Sequence, residues 1–185
     1  MEPAQRRGAA ALFAIAVSVW ALDRLTKGWA ESTLPGAPID VIDGVLRLRF
    51  TTNPGGAFSI GGSASWLFVT ASFVVVALIL ATAFRHRSAT TAAGVGLVLG
   101  GALGNLTDRL VRGPRFSGRV VDFIDLHVWP VFNLADTAIV LGAIAIAVSS
   151  FREDRGGGQG TDRDTAPEVD TGGSGSQAAE GGVDA

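Results

Sequence analysis

The chain has 185 residues, of which 48% are apolar and 17% charged, with a formal net charge of −2 and no cysteine. That length holds one ordinary domain or a compact membrane bundle. The lack of thiols excludes a disulfide scaffold, a thiolate metal site and a cysteine nucleophile, and no basic excess supplies a footprint for nucleic acid.

The first apolar run, residues 9–22, carries no charge and is followed by Asp23. It reads as a membrane span over about 9–28 or as the apolar region of a cleavable signal peptide. Arg6 and Arg7 would then form its basic start, and Gly28-Trp29-Ala30 its small-x-small site. Asp23, Arg24 and Lys27, lying between the run and that site, argue against cleavage. Residues of about 36–62 have strand character. Leu46 to Thr51 alternates apolar and polar, and residues 39–42 precede it across Asp43-Gly44, a pair suited to a tight hairpin. Asn53-Pro54-Gly55-Gly56 ends the strand, and Gly55-Gly56 with Gly61-Gly62 would let this loop move.

Residues 64–84 form a 21-residue stretch without a charge, enough for a helix to cross about 30 Å of hydrocarbon. Residues 92–106 continue uncharged to Asp108, giving a span over about 92–109. Within it Gly96, Gly100 and Gly104 recur at i, i+4, i+8 with Gly101 beside them, a smooth face that a neighbouring helix can approach closely. Residues 131–151 are apolar except for Asn133 and Asp136. Composition then breaks: only 6 of the last 34 residues are apolar, and 9 of the 25 glycines lie there. Such a segment, 152–185, cannot bury enough apolar surface to offset its ordering entropy and is expected to be disordered. From Glu153 onward it carries −6, leaving +4 on the rest of the chain. The expected fold is an all-α membrane protein, residues 1–151, of four transmembrane helices with a small extracytoplasmic β-sheet loop.

Four spans put both termini on one side. The short basic turn Arg85-His86-Arg87 and the Arg6-Arg7 start place that side in the cytoplasm. Trp20, Trp29, Trp66 and Trp129 then fall near span ends at the opposite face, as an aromatic belt would. At that face the polar residues gather: Asp23, Lys27, Asn53, Asn105, Asp108, Arg109, Asp122, Asp125, Asn133 and Asp136. Ionisable groups at membrane depth are costly and are usually paired or functional. Asp136 lies in an apolar span and Asp122 in the apolar stretch Val120-Val121-Asp122-Phe123-Ile124. Two carboxylates sharing a low-dielectric pocket cannot both ionise easily, so one is held protonated, the state in which a pair can activate water and protonate a leaving amine.

Plainer readings stand beside this one. Asn133 with Asp136 three residues on could be a helix cap with an acid in the first turn. Asp108 and Arg109 could end a helix, and Asp125 and His127 could be solvated loop residues. Four spans with buried acids also suit a small proton-coupled transporter or a non-catalytic scaffold. One histidine at this face, His127, without ligand spacing, gives little support for a metal.

Five stretches of the chain resemble the sequence boxes of bacterial lipoprotein signal peptidase (signal peptidase II), an integral-membrane aspartic endopeptidase family. They are Asp23-Arg24-Leu25-Thr26-Lys27, Asn53-Pro54-Gly55-Gly56-Ala57-Phe58-Ser59, residues 101–109 ending in Asn105-Leu106-Thr107-Asp108-Arg109, Val120-Val121-Asp122-Phe123, and Phe132-Asn133-Leu134-Ala135-Asp136. They occur in the family's order. The resemblance implies that Asp122 and Asp136 are the catalytic dyad, and that Asn53, Asn105, Asp108, Arg109 and Asn133 surround the scissile peptide and the dyad. Asp23 and Lys27 match the first box, with a structural or positioning role. The implied reaction is cleavage of a lipid-modified prolipoprotein before its diacylglyceryl cysteine, without metal or organic cofactor. It would be carried out by a monomer in the bacterial inner membrane with its active site near the outer face. Residues 110–119 look longer than the family's usual loop, and the acidic tail lies outside the family core.

Overall fold

The computed structural model describes residues 3–54, 65–83, 89–114 and 118–157. The glycines at 55, 56, 61 and 62, the turn Arg85-His86-Arg87, part of the 110–119 loop and the tail from residue 158 lie outside the described residues. In chain order the elements are α1 (Pro3–Thr33), β1 (Ile39–Ile42), β2 (Leu46–Asn53), α2 (Ser65–Thr82), α3 (Ala89–Val111), β3 (Val120–Asp125) and α4 (Leu134–Gly157).

Among the described residues α1, α3 and α4 are long and apolar enough to cross a membrane, while the described apolar stretch of α2, Val69–Thr82, is shorter. At 31 residues α1 extends beyond the 9–28 expected from its apolar run. Its rise of about 46 Å exceeds the hydrocarbon thickness. The reason is that Asp23 and Lys27 do not end the helix: both are fully buried against α3, and Ala30 and Leu34 then bury themselves under the sheet. The first apolar run is thus an integral part of the bundle. Helix α4 also runs past the composition break, through Gly157.

Helix α3 is the centre of the bundle. Its glycines at 96 and 100 face α1, where an added Cβ would lie 2.7 Å from the Leu12 carbonyl oxygen and 2.6 Å from that of Ala16. Gly104 continues this stripe and abuts the Asp23 carboxylate. The opposite face approaches α4: Gly94 lies against Gly142, and Gly101 against the carbonyl oxygen of Ala135. The smooth face read from the sequence is therefore real, and a second one backs it. Leu12, Ala16, Ala92, Val95 and Leu99 fill the α1–α3 seam. Gly101→Ala should lower the thermal unfolding midpoint in detergent, since its methyl meets backbone that cannot swing aside and such overpacking costs about 1–3 kcal/mol. An unchanged midpoint would show that α4 can move off α3 freely.

The sheet has the order β1-β2-β3, antiparallel throughout. Asp43-Gly44 makes the hairpin turn as expected, with Gly44 at φ 71°, a conformation that glycine adopts without strain. β3 is a strand that alternation does not reveal. Val121 and Phe123 pack on Ala30 and Leu34, and Trp29 meets Phe123 edge-on at 6.4 Å. Asp122, on the other face, is equally buried at 2% exposure. A strand covered on both faces reads as a plain apolar run. The register pairs Thr51 with Asp122, just after an irregularity between Leu48 and Thr51.

Candidate active site

Helix α4 starts at Leu134 rather than Val131 because Asn133 caps it. The Asp136 N–H donates to Asn133 Oδ1 at 3.0 Å, and the Asn133 N–H donates to Asp136 Oδ2 at 3.2 Å. This is the reciprocal capping arrangement, so the plain reading of these two residues is correct. It is also incomplete. The other oxygen of the same carboxylate, Asp136 Oδ1, accepts from Asn105 Nδ2 on α3 at 2.7 Å. Asn133 Nδ2 in turn donates to Asp122 Oδ1 at 2.6 Å and to Asn105 Oδ1 at 3.2 Å. The cap, the strand and the central helix thus meet at one polar knot. Main-chain bonds between Phe132 and both Phe123 and Ile124 tie β3 directly to the start of α4.

Asp122 and Asp136 line one cavity of about 430 Å³ together with Asn53, Asn105 and Arg109. Ala71, Val98 and Ile139, from α2, α3 and α4, give it an apolar wall. Arg109 is 6% exposed, and its guanidinium donates to the Asn105 carbonyl at 3.1 Å while its charge acts on both carboxylates. Burial, and then the negative charge of Asp136, push the Asp122 carboxyl up to about 6 from 3.8, against hydrogen bonds from Asn133 and Asn53 and the more distant charge of Lys27. An acid so placed can hold a proton near neutral pH, a condition for general acid–base work. A second, apolar cavity of about 350 Å³ shares Trp129, Phe132 and Asp136 with the first and runs along Val140 and Leu141 of α4.

The remaining residues singled out in the sequence form a layer behind the cavity. Asp23 Oδ1 accepts the Ala135 N–H at 3.1 Å, and Lys27 Nζ lies 2.8 Å from Asp23 Oδ2. Asp108 does not line the cavity. Its carboxylate meets Arg24, Arg112 Nε at 2.7 Å, Lys27 Nζ at 3.0 Å and the Val121 N–H at 3.2 Å. Sequence reasoning passed over Arg24, Arg112 and Glu31, which bonds Arg112. Helical spacing signals Arg112, four residues after Asp108, whereas Arg24 meets Asp108 and Glu31 meets Arg112 between separate segments, which local spacing does not show. Asp125 is not a solvated loop residue: it ends β3, pairs with Arg49 Nε at 2.5 Å and accepts the His127 N–H at 2.9 Å. Arg49, and then that N–H, hold its carboxyl below the usual range. Trp20 donates to Thr107 at 3.1 Å, and Trp129 lines both cavities. The Trp66 side chain lies outside the described residues.

Fold and site together define a membrane-type helical protein with a paired-carboxylate centre where its central helix meets a small sheet. The model of the family described as Signal peptidase (SPase) II matches residues 15–152, and the chain belongs to that family. It is 44% identical over 149 residues to the lipoprotein signal peptidase of Rhodococcus jostii, covering 80% of this chain and 75% of the relative. The lipoprotein signal peptidase of Streptomyces coelicolor is 42% identical over 149 residues, covering 80% and 73%. A solved structure of a bacterial membrane enzyme superposes with a TM-score of 0.70 at 26% identity, covering 78% of this chain and 90% of the other. The reading as a small proton-coupled transporter finds no support in these relatives.

Proposed function

We propose that the protein removes signal peptides from prolipoproteins, with Asp122 and Asp136 as the catalytic pair. The observation that carries this reading is the meeting of both carboxylates in one cavity, each held by an asparagine amide. The protonated carboxyl polarises the scissile carbonyl, while the ionised one takes a proton from water as its oxygen bonds to the carbonyl carbon. In the tetrahedral intermediate the C–N bond breaks as a proton passes from the pair to the departing amine. The two products are a carboxylate-ended signal peptide and a free amino terminus. Arg109, Asn53, Asn105 and Asn133 hold the carboxylates and the peptide backbone in register before the reaction begins.

All four helices cross the inner membrane, with both termini cytoplasmic and the site near the outer face, and one chain supplies the whole site. Exposed apolar residues on α2 and α4, such as Phe73, Leu78, Val140 and Ile144, support a lipid-facing surface, and Ile39, Val41 and Ile42 on β1 support seating of the sheet on the bilayer. The cut falls before the diacylglyceryl-modified cysteine, whose acyl chains leave along the second cavity towards the bilayer. Asp23 and Lys27 are positioning residues and Asp108 supports the site from behind. The test is incubation of the purified full-length chain, in proteoliposomes, with one precursor in lipidated and unlipidated forms. The lipidated form should be cut and the other spared. Cleavage of neither, with proton flux across the vesicles, would favour transport instead.

A further inference from the structure

The two carboxylates are held by asparagine side chains, and an amide is a donor at one end and an acceptor at the other. Asp136 takes an N–H, and the other contacts of each amide decide whether its N–H end is held towards the carboxylate. For Asn133 the answer is local: the Asp136 N–H needs an acceptor, which takes Oδ1 at 3.0 Å and turns Nδ2 towards Asp122. Among the described residues Asn105 has no such main-chain partner at its side chain. Its Oδ1 instead receives Lys27 Nζ at 2.9 Å, with Asn133 Nδ2 at 3.2 Å, and this turns Nδ2 to Asp136 at 2.7 Å.

Lys27 is fully buried on α1, and its ammonium meets three oxygens: Asp23 Oδ2 at 2.8 Å, Asn105 Oδ1 at 2.9 Å and Asp108 Oδ2 at 3.0 Å. An ammonium has three donors and no acceptor. It can accept nothing from an inverted amide, so a reversed Asn105 would set two donors against each other and a carbonyl against a carboxylate. We propose that Lys27 is a positioning residue for the reaction: it fixes the polarity of the Asn105 amide and thereby presents an N–H to Asp136. This rests on the catalytic reading of Asp136. Compensation of the charges of Asp23 and Asp108 would explain the burial of Lys27, but not why its third donor is spent on Asn105.

The lack of cysteine in the chain gives a direct test. Lys27→Cys introduces a single thiol that, because the position is buried, is alkylated in denaturant before refolding into lipid; conversion to S-aminoethylcysteine restores an ammonium at similar reach. Alkylation to S-propylcysteine instead fills the same space without a donor. The propyl adduct is made in the Asp23→Asn chain as well, where no surplus carboxylate faces it. Unmodified protein is assayed alongside, and its failure to cleave the lipidated precursor would count against the proposed function rather than against Lys27.

Per folded molecule, the aminoethyl adduct should recover most of the wild-type kcat. The propyl adducts should fall by on the order of 100-fold in kcat with KM little changed, because substrate binding surfaces are intact. Equal kcat for the two adducts would overturn the proposal. So would failure of both propyl adducts to fold, since Lys27 would then serve stability alone.

Discussion

Asp122→Asn is expected to abolish cleavage of the lipidated precursor and, at neutral pH, to make the folded protein more stable. The loss of activity follows from removing a proton-transfer group from the pair. The gain in stability follows from its burial. With its carboxyl at about 6 in the folded chain against 3.8 unfolded, the native state binds more protons between those values, so stability is fully present below pH 4 and falls as pH rises through 6. Above that window the ionised side chain costs the folded state about 3 kcal/mol. Asparagine never ionises, and its Oδ1 can still accept from Asn133. The unfolding midpoint of the variant in detergent should exceed that of the wild type at pH 7, and the difference should vanish near pH 4. A variant less stable than wild type at pH 7 would mean that the charge of Asp122 is fully compensated in the folded protein.

Asp108→Ala is expected to do the opposite, with the largest loss of stability of any truncation outside the cavity. One fully buried carboxylate joins α1, α3 and β3 by accepting from Arg24, Lys27, Arg112 and the Val121 N–H. Removing one partner of a buried ion pair leaves charge without compensation and costs about 3–5 kcal/mol. That is a large share of the roughly 5–15 kcal/mol that holds a domain together. Little folded protein should survive extraction, and what survives should unfold far below the wild-type temperature. An unchanged midpoint would show that Asp23 alone suffices for Lys27.

Charge scarcity made the site legible. In apolar runs such as those around Asp122 and Asp136, each acid stands out because burying it is expensive, and both acids line the cavity. The helices were visible as uncharged stretches and the hairpin as alternation around Asp43-Gly44. The extension of α1 was hidden because Asp23 and Lys27, which look like the end of a span, pair with each other, and Lys27 also meets Asp108 on a helix about 80 residues away in sequence. β3 was hidden because both of its faces are covered. The plain and the functional readings of Asn133 and Asp136 looked like alternatives, yet a single carboxylate caps α4 with Oδ2 and meets Asn105 with Oδ1. No local pattern encodes that, because Asn105 reaches Asp136 only through the packing of α3 on α4. Asp108 shows the converse: a residue in a motif beside the site whose partners all lie behind it.

The most direct measurement is the mass spectrum of the products formed from one lipidated precursor by wild-type protein and by Asp136→Asn in the same bilayers. Asparagine at this position can still accept one hydrogen bond at the head of α4, so the variant should remain folded and inserted. Wild type should release the signal peptide and a lipidated chain with a free amino terminus, and Asp136→Asn should leave the precursor intact. Near-normal cleavage by the folded variant would contradict the assignment of Asp122 and Asp136 as the catalytic pair.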